Sequence, residues 1–237
     1  MDILVKWEVF WGKFSGPDGY WQYVLKTGLT NTLVIAFAGL LIGIVLGTLI
    51  ATVKVMPKYK LLPRILDKIC GVYVGFFRGT PIVVQLLLAN FVLLPLMDIR
   101  IEPLDVCVLV FGLNSAAYCS EIMRGGILSV DAGQMEAGRA LGLSYFTTMI
   151  KIVVPQAIKN ILPTLGNELI ALVKDTSVVS FVAATDLYKT FNEIGNKNYD
   201  YMIPYLVMAV IYIVLVALIS LAIKLMERSL RKSDRRN

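Results

Sequence analysis

Glu168, Lys174 and Asp175 stand inside a largely apolar stretch, residues 161–182. If that stretch is a helix, Thr164, Glu168 and Asp175 share one stripe at i, i+4 and i+11. Asn167, Lys174 and Ser177 fall on the adjacent stripe. A charge at the centre of a membrane helix costs roughly 2.5–3.5 kcal/mol on insertion scales, so such residues are functional candidates by default. One polar face with both signs of charge suits a zwitterion, whose ammonium and carboxylate each need a partner. It equally suits an internal salt bridge. Lys174 and Asp175 are adjacent and do not face each other, but either could pair with another helix or subunit. Asn114, Ser115 and Gln85 are further polar candidates in apolar surroundings.

Two other groups could act as a gate. Glu121 and Arg124 close an apolar stretch and suit gate or subunit ion pairs. Arg78-Gly79-Thr80-Pro81 suits either an inner-gate element or an arginine that snorkels beside a proline helix start. Several chemistries are excluded. The chain has no histidine, which removes Ser-His and Cys-His catalysis. Cys70, Cys107 and Cys119 are far apart, with no zinc spacing and no disulfide framework. No G-x-x-x-x-G-K-[ST] loop exists, so ATP is not bound by that route. No catalytic residue, metal or cofactor is expected in this chain.

The elements that must hold these residues follow from composition. The chain is 57% hydrophobic, with a mean hydropathy of +0.71, above the 45–50% usual for soluble domains. The bilayer core is about 30 Å thick, so runs of about 20 apolar residues read as spanning helices. The expected fold is a single all-α integral membrane domain over residues 1–237. Its five spans lie at about 24–53, 80–97, 104–123, 161–182 and 202–226. Leu61–Phe77 has an apolar face with charges at Arg64, Asp67 and Lys68, and reads as a helix lying at the interface. Phe181–Tyr201 reads as a short helix outside the bilayer. The N-terminus begins with an acid and is interrupted by Lys6 and Glu8, unlike a cleavable signal peptide.

The net charge of +6 does not point to nucleic acid, because the basic residues cluster beside apolar runs. Residues 54–78 carry six Lys and Arg and residues 224–237 carry six, against one in 98–105 and two in 181–201. The positive-inside bias then puts the N-terminus outside, the C-terminus in the cytoplasm and the 124–160 loop inside.

That loop is over-structured for a connector. Asp131 suits an N-cap and Gln134 completes a capping box. Met135–Leu141 favours helix, Gly142 suits a left-handed C′ position, and Ser144 caps a second helix, Tyr145–Asn160, bent or interrupted at Pro155. Ala137, Gly138 and Ala140 permit close backbone approach. Met135 and Leu141 could anchor a partner, and Glu136 and Arg139 could pair with one. The residues alone leave lipid and protein docking open.

Glu136-Ala137-Gly138, then Gly142, then Ile161-Leu162-Pro163 resembles the EAA signature of ABC importer membrane subunits. Gly138, where the signature has a second alanine, is its one departure. Phe77-Arg78-Gly79-Thr80-Pro81, Ser115-Ala116-Ala117-Tyr118, Leu165-Gly166-Asn167-Glu168 and Lys174-Asp175-Thr176-Ser177 resemble the polar amino-acid branch. The resemblance runs from about Thr27 to Met226. It implies a type I (MetI-like) permease fold and a multi-pass protein of the inner or cytoplasmic membrane. It implies that Glu136–Leu141 and Gly142 form a coupling helix seated on a separate ATPase. The implied partners are two such ATPases, which carry the ATP and Mg, a second permease copy or homologous permease, and an extracellular or periplasmic amino-acid-binding protein. A passive channel or small secondary transporter is the alternative; no convincing internal repeat supports it.

Overall fold

The computed structural model describes residues 3–16 and 19–234. The described residues form helices α1 (Ile3–Phe14), α2 (Tyr20–Tyr23), α3 (Thr30–Val55), α4 (Leu61–Gly79), α5 (Ile82–Leu88), α6 (Leu94–Leu96), α7 (Pro103–Leu128), α8 (Ala132–Ala140), α9 (Tyr145–Thr148), α10 (Val154–Asp175), α11 (Leu187–Asn198) and α12 (Met202–Asp234). π-helical turns at Val24–Leu29, Ala89–Leu93 and Met149–Val153 join α2 to α3, α5 to α6 and α9 to α10. A 3-10 segment, Thr176–Val182, follows α10.

Among the described residues, three helical stretches are long and apolar enough to cross a membrane: Tyr20–Val55, Pro103–Leu128 and Met202–Leu230. Counting the broken pair Leu61–Gly79 and Ile82–Leu96 as one span gives four. The expected span at 161–182 falls short of that standard. It begins within α10 and ends in the 3-10 segment, and its polar residues lower its hydropathy. The helix expected to lie at the interface is α4, and it counts here only together with α5 and α6.

Other boundaries also shift. The third span was expected to end at 123, but α7 runs on through Arg124 to Leu128, so the loop is shorter. Pro81 was expected in a first helical turn, yet it is the extended N-cap of α5 with ψ 138°. Thr80 before it is extended, as a residue preceding proline must be. Of the C-terminal basic cluster, Arg235 and Arg236 lie outside the described residues.

The chain divides into two compact units. The first comprises Met1–Gly39, Pro81–Phe111 and Ala171–Leu218. Its core joins Phe10, Val24, Leu187, Phe191, Ile194 and Ile203, so α1, the start of the first long helix, α11 and the start of α12 share one cluster. The Asp186 side chain caps α11 by accepting from Tyr188 and Lys189 N–H groups at 3.0 and 2.9 Å. Burial pushes its carboxyl up, and those two N–H bonds oppose the shift.

The second unit comprises Leu40–Thr80, Gly112–Ile170 and Ile219–Asn237. Ala51, Cys119, Met123, Ala157, Ile161 and Leu165 form its buried cluster. Gly43 and Gly47 bring α3 against α7. A β-carbon would stand 2.5 Å from Ser115 Oγ at the first and 2.7 Å from Cys119 Cβ at the second. Small residues four apart are a common means of close helix approach in membranes.

Candidate functional site

The helix–turn–helix is locked by short-range bonds within the second unit. Asp131 accepts from the Gly133 N–H at 2.6 Å. The expected reciprocal box is absent, since the Gln134 side chain instead accepts from Gln156 Nε2 at 3.3 Å. At the other end Gly142 is left-handed, with φ 82°. Its N–H donates to the Arg139 carbonyl at 3.0 Å and Leu143 N–H donates to the Gly138 carbonyl at 3.1 Å, the paired bonds of a Schellman closure. Ser144 then caps α9 through the Thr147 N–H at 3.1 Å, as its position predicts.

The expected interruption at Pro155 takes another form. The winding changes from π to α at Val154, and the helix continues unbroken to Asp175. Proline lacks the N–H that a regular ladder needs there, and the change of winding sits beside that gap.

Gly138 is more than a tolerated substitution. It is buried, and a β-carbon on it would run into Thr148 Cγ2, with Thr148 Oγ1 at 2.9 Å. Its small size therefore serves packing inside the loop. Glu136, Ala137, Arg139 and Ala140 are exposed, as are Leu141 at 82% and Phe146 at 70%. Arg139 donates to the Leu143 carbonyl at 2.8 Å. Phe146 escaped the sequence reading, although an aromatic residue just after a helix cap in a polar loop is a usable signal.

Close by in the same unit, Glu121 is held from two sides. Lys54 Nζ lies 2.5 Å from its Oε1, and Arg124 donates to its Oε2 at 2.8 and 3.0 Å. Lys54, from the last turn of α3, was read only as a topogenic charge. The Arg78 guanidinium stands 5.3 Å from the Tyr118 ring centre, a cation–π distance. Thr80 Oγ1 donates to the Phe76 carbonyl at 2.8 Å.

The polar residues proposed to meet a substrate part ways. In the second unit, Ser115 donates to Glu168 at 3.2 Å, and buried Asn114 donates to the Phe77 carbonyl at 3.3 Å. Thr164 is exposed and bonds its own helix at the Asn160 carbonyl, 3.2 Å away. In the first unit Gln85 is buried and Asp175 exposed. There Lys174 and Ser177, with Tyr212, Ile213, Val216 and Ala217, line one open cleft of about 530 Å³. Ser177 sits in the 3-10 segment rather than in a continued α-helix. Lys174 lies in the last turn of α10, three residues before Ser177, and residues three apart lie on neighbouring faces, so both line the same cleft. Tyr212 was not foreseen, since a lone tyrosine in an apolar helix carries no spacing signal.

Among the described residues, the long apolar helices and the capped helix–turn–helix in one connection suit a multi-pass membrane protein. The family described as "Binding-protein-dependent transport system inner membrane component" matches residues 39–232, and the chain belongs to it. It is 38% identical to the arginine transport system permease protein ArtQ of Bacillus subtilis (strain 168), over 93% of this chain and 98% of that protein. It is 38% identical to a putative glutamine transport system permease protein GlnP of Rickettsia bellii (strain RML369-C), over 86% and 91%. A solved structure described as an amino acid ABC transporter with histidines superposes with a TM-score of 0.82 at 34% identity, covering 97% of this chain and 99% of that one. The methionine transporter MetNI shares the fold, with a TM-score of 0.73 at 21% identity over 88% and 96%. The resemblance to amino-acid ABC permeases is thereby borne out, and with it the type I, MetI-like fold. A passive channel or small secondary transporter is set aside. The chain is a membrane-embedded permease of the ABC importer type.

Proposed function

We propose that this chain forms the translocation pathway of an ATP-driven, binding-protein-dependent importer of polar amino acids. It couples through residues 131–146 to a separate ATPase. The observation that carries the coupling is the bare face of a rigid loop. Leu141 and Phe146 stay exposed while every turn around them is internally bonded. Rigid apolar residues beside exposed Glu136 and Arg139 suit a groove lined by a partner better than they suit water. The amino-acid class rests on the named permeases and on the cleft lined by Lys174, Ser177 and Tyr212, where Lys174 offers an ammonium and Ser177 a hydroxyl to a carboxylate. Glu121 with Lys54 and Arg124, Arg78 on Tyr118, and Thr80 and Pro81 serve as inner-gate elements.

The full assembly has two ATPases holding ATP and Mg, a second permease copy or homologue, and an external amino-acid-binding protein. Five spans in the inner membrane, N-terminus out and C-terminus in, suit the charge distribution. The shared cluster at the starts of the first long helix and α12 supports two spans running in the same direction. The exposed apolar residues of α12, Ile213 and Leu218 among them, need lipid or a second permease to cover them. The deciding experiment assembles the complex with its binding protein and measures ATPase stimulation by a panel of amino acids. Stimulation by polar amino acids, lost or weakened by Lys174→Ala, supports the reading. No co-purifying ATPase, or equal turnover with and without amino acids, overturns it.

A further inference from the structure

All three tryptophans of the chain, Trp7, Trp11 and Trp21, sit at one end of the first unit, and each is a third or more exposed. Trp7 and Trp11 belong to α1, which precedes the stretch matched by the family. One side of α1 is fixed to protein. Phe10 enters the core cluster, Phe14 stacks on Phe191 with ring centres 6.4 Å apart, Lys6 pairs with Asp200 at 3.1 Å, and Lys13 donates to Asn198 at 2.8 Å. Leu4, Trp7 and Trp11, at i, i+3 and i+7, form a second stripe, exposed by 69, 43 and 37%. Trp7 and Trp11 contact each other edge-on at 5.8 Å.

What covers this stripe follows from where α1 is attached. Its core partners, Val24 and Ile203, stand within four residues of the starts of two membrane helices, Tyr20–Val55 and Met202–Leu230. Leu25 and Leu206 on those helices are likewise exposed and apolar. The helix that carries the stripe is therefore fixed at the end of the unit where surface that lipid must wet begins. An indole has an apolar body and one N–H, which favours the boundary between headgroups and acyl chains. The charges of Lys6 and Lys13 are engaged on the protein side, and exposed Glu8, four residues from Leu4 and three from Trp11, shares the stripe's face and holds it at headgroup depth.

We propose that α1 is an interfacial anchor, lying along the membrane surface with Leu4, Trp7 and Trp11 in the headgroup–acyl boundary at the end where the first and last long helices begin. The proposal needs only that the chain is membrane-embedded, and does not depend on its substrate or its ATPase. The three tryptophans make it measurable. In the full chain carrying Trp21→Phe, emission reports α1 alone. Reconstituted into phosphatidylcholine vesicles brominated near the headgroup end of the acyl chain, that emission should fall roughly by half relative to unbrominated lipid, because a belt indole sits at that depth. Bromine near the chain end should quench it less. In the reciprocal variant, Trp7→Phe with Trp11→Phe, the shallow-bromine signal lost relative to wild type gives the same answer if Trp21→Phe fails to fold. Equal emission in brominated and plain vesicles, with full quenching by aqueous acrylamide, overturns the proposal. Acrylamide protection that arises only on adding the external binding protein also overturns it, assigning the stripe to a protein partner.

Discussion

The 131–146 loop and the assembly of α1 with α11 both lie outside the long apolar helices, yet they hold together by opposite means. The loop closes on itself through bonds between residues two to five apart, such as Gly133 to Asp131, Leu143 to Gly138 and Thr147 to Ser144. The α1–α11 assembly is held by partners far apart in sequence: Lys13 with Asn198, Lys6 with Asp200, Tyr23 with Glu193 at 2.8 Å. A locally closed element can present a rigid face and move as a body. An element closed by distant partners instead ties helix starts together. The loop suits transmission of force, and the assembly suits anchorage.

The sharpest way to break this contrast is Phe191→Ala. Phe191 is fully buried among Phe10, Leu187 and Ile194, and truncating such a side chain costs about 3–5 kcal/mol. Thermal unfolding in detergent should shift down markedly, and protease should cut faster between α1 and α2, while the loop keeps its protection. Loss of loop protection in parallel would mean the two regions are one cooperative unit.

Gly138→Leu tests the other side at a smaller cost, about 1–3 kcal/mol from overpacking against Thr148. Substrate-stimulated ATP hydrolysis by the assembled complex should be lost while membrane insertion and α1 protection stay intact. Thr148→Ala in the same chain should restore part of it by vacating the space. Unchanged coupling in Gly138→Leu would show that the loop face does not transmit.

The smallest effect concerns Asp200. The Lys6 ammonium, helped by the Met202 N–H, holds its carboxyl below the usual carboxylate range. A depressed folded pKa stabilises above the unfolded value near 3.9 and is lost as pH falls through the folded one. The pair is partly exposed, so the contribution is below about 1 kcal/mol. Asp200→Asn should therefore lower the unfolding midpoint slightly at neutral pH, and the gap to wild type should begin to close only as pH falls below about 4. A gap that persists in acid would assign Asp200 a role other than its ion pair.

How much was legible in the sequence follows from the same contrast. Gly142 and Ser144 could be read as cap and turn because cap chemistry is set by residues a few positions apart. The capping box at Gln134 could not be judged, because Gln156, twenty-two positions away, competes for that side chain. Span 161–182 was read from apolar length, yet its polar residues leave it short of the hydropathy of the other long helices. The site on α10 was half legible. Helical spacing selected Glu168, Lys174 and Ser177, but whether each faces a partner or an opening depends on helices distant in sequence.

The sequence by itself determined that this chain is an all-helical membrane protein, which way its charges bias it, and the local form of its loop. Those follow from hydropathy, charge and short-range hydrogen bonds, all of which act over a few residues. Only the tertiary structure decided that Glu168 is taken up by Ser115, that Lys174 and Ser177 open into a cleft with Tyr212, and that Gly138 packs against the Thr148 side chain. Each depends on which atoms close packing brings within a few ångströms across distant segments, and no pattern within one segment encodes that.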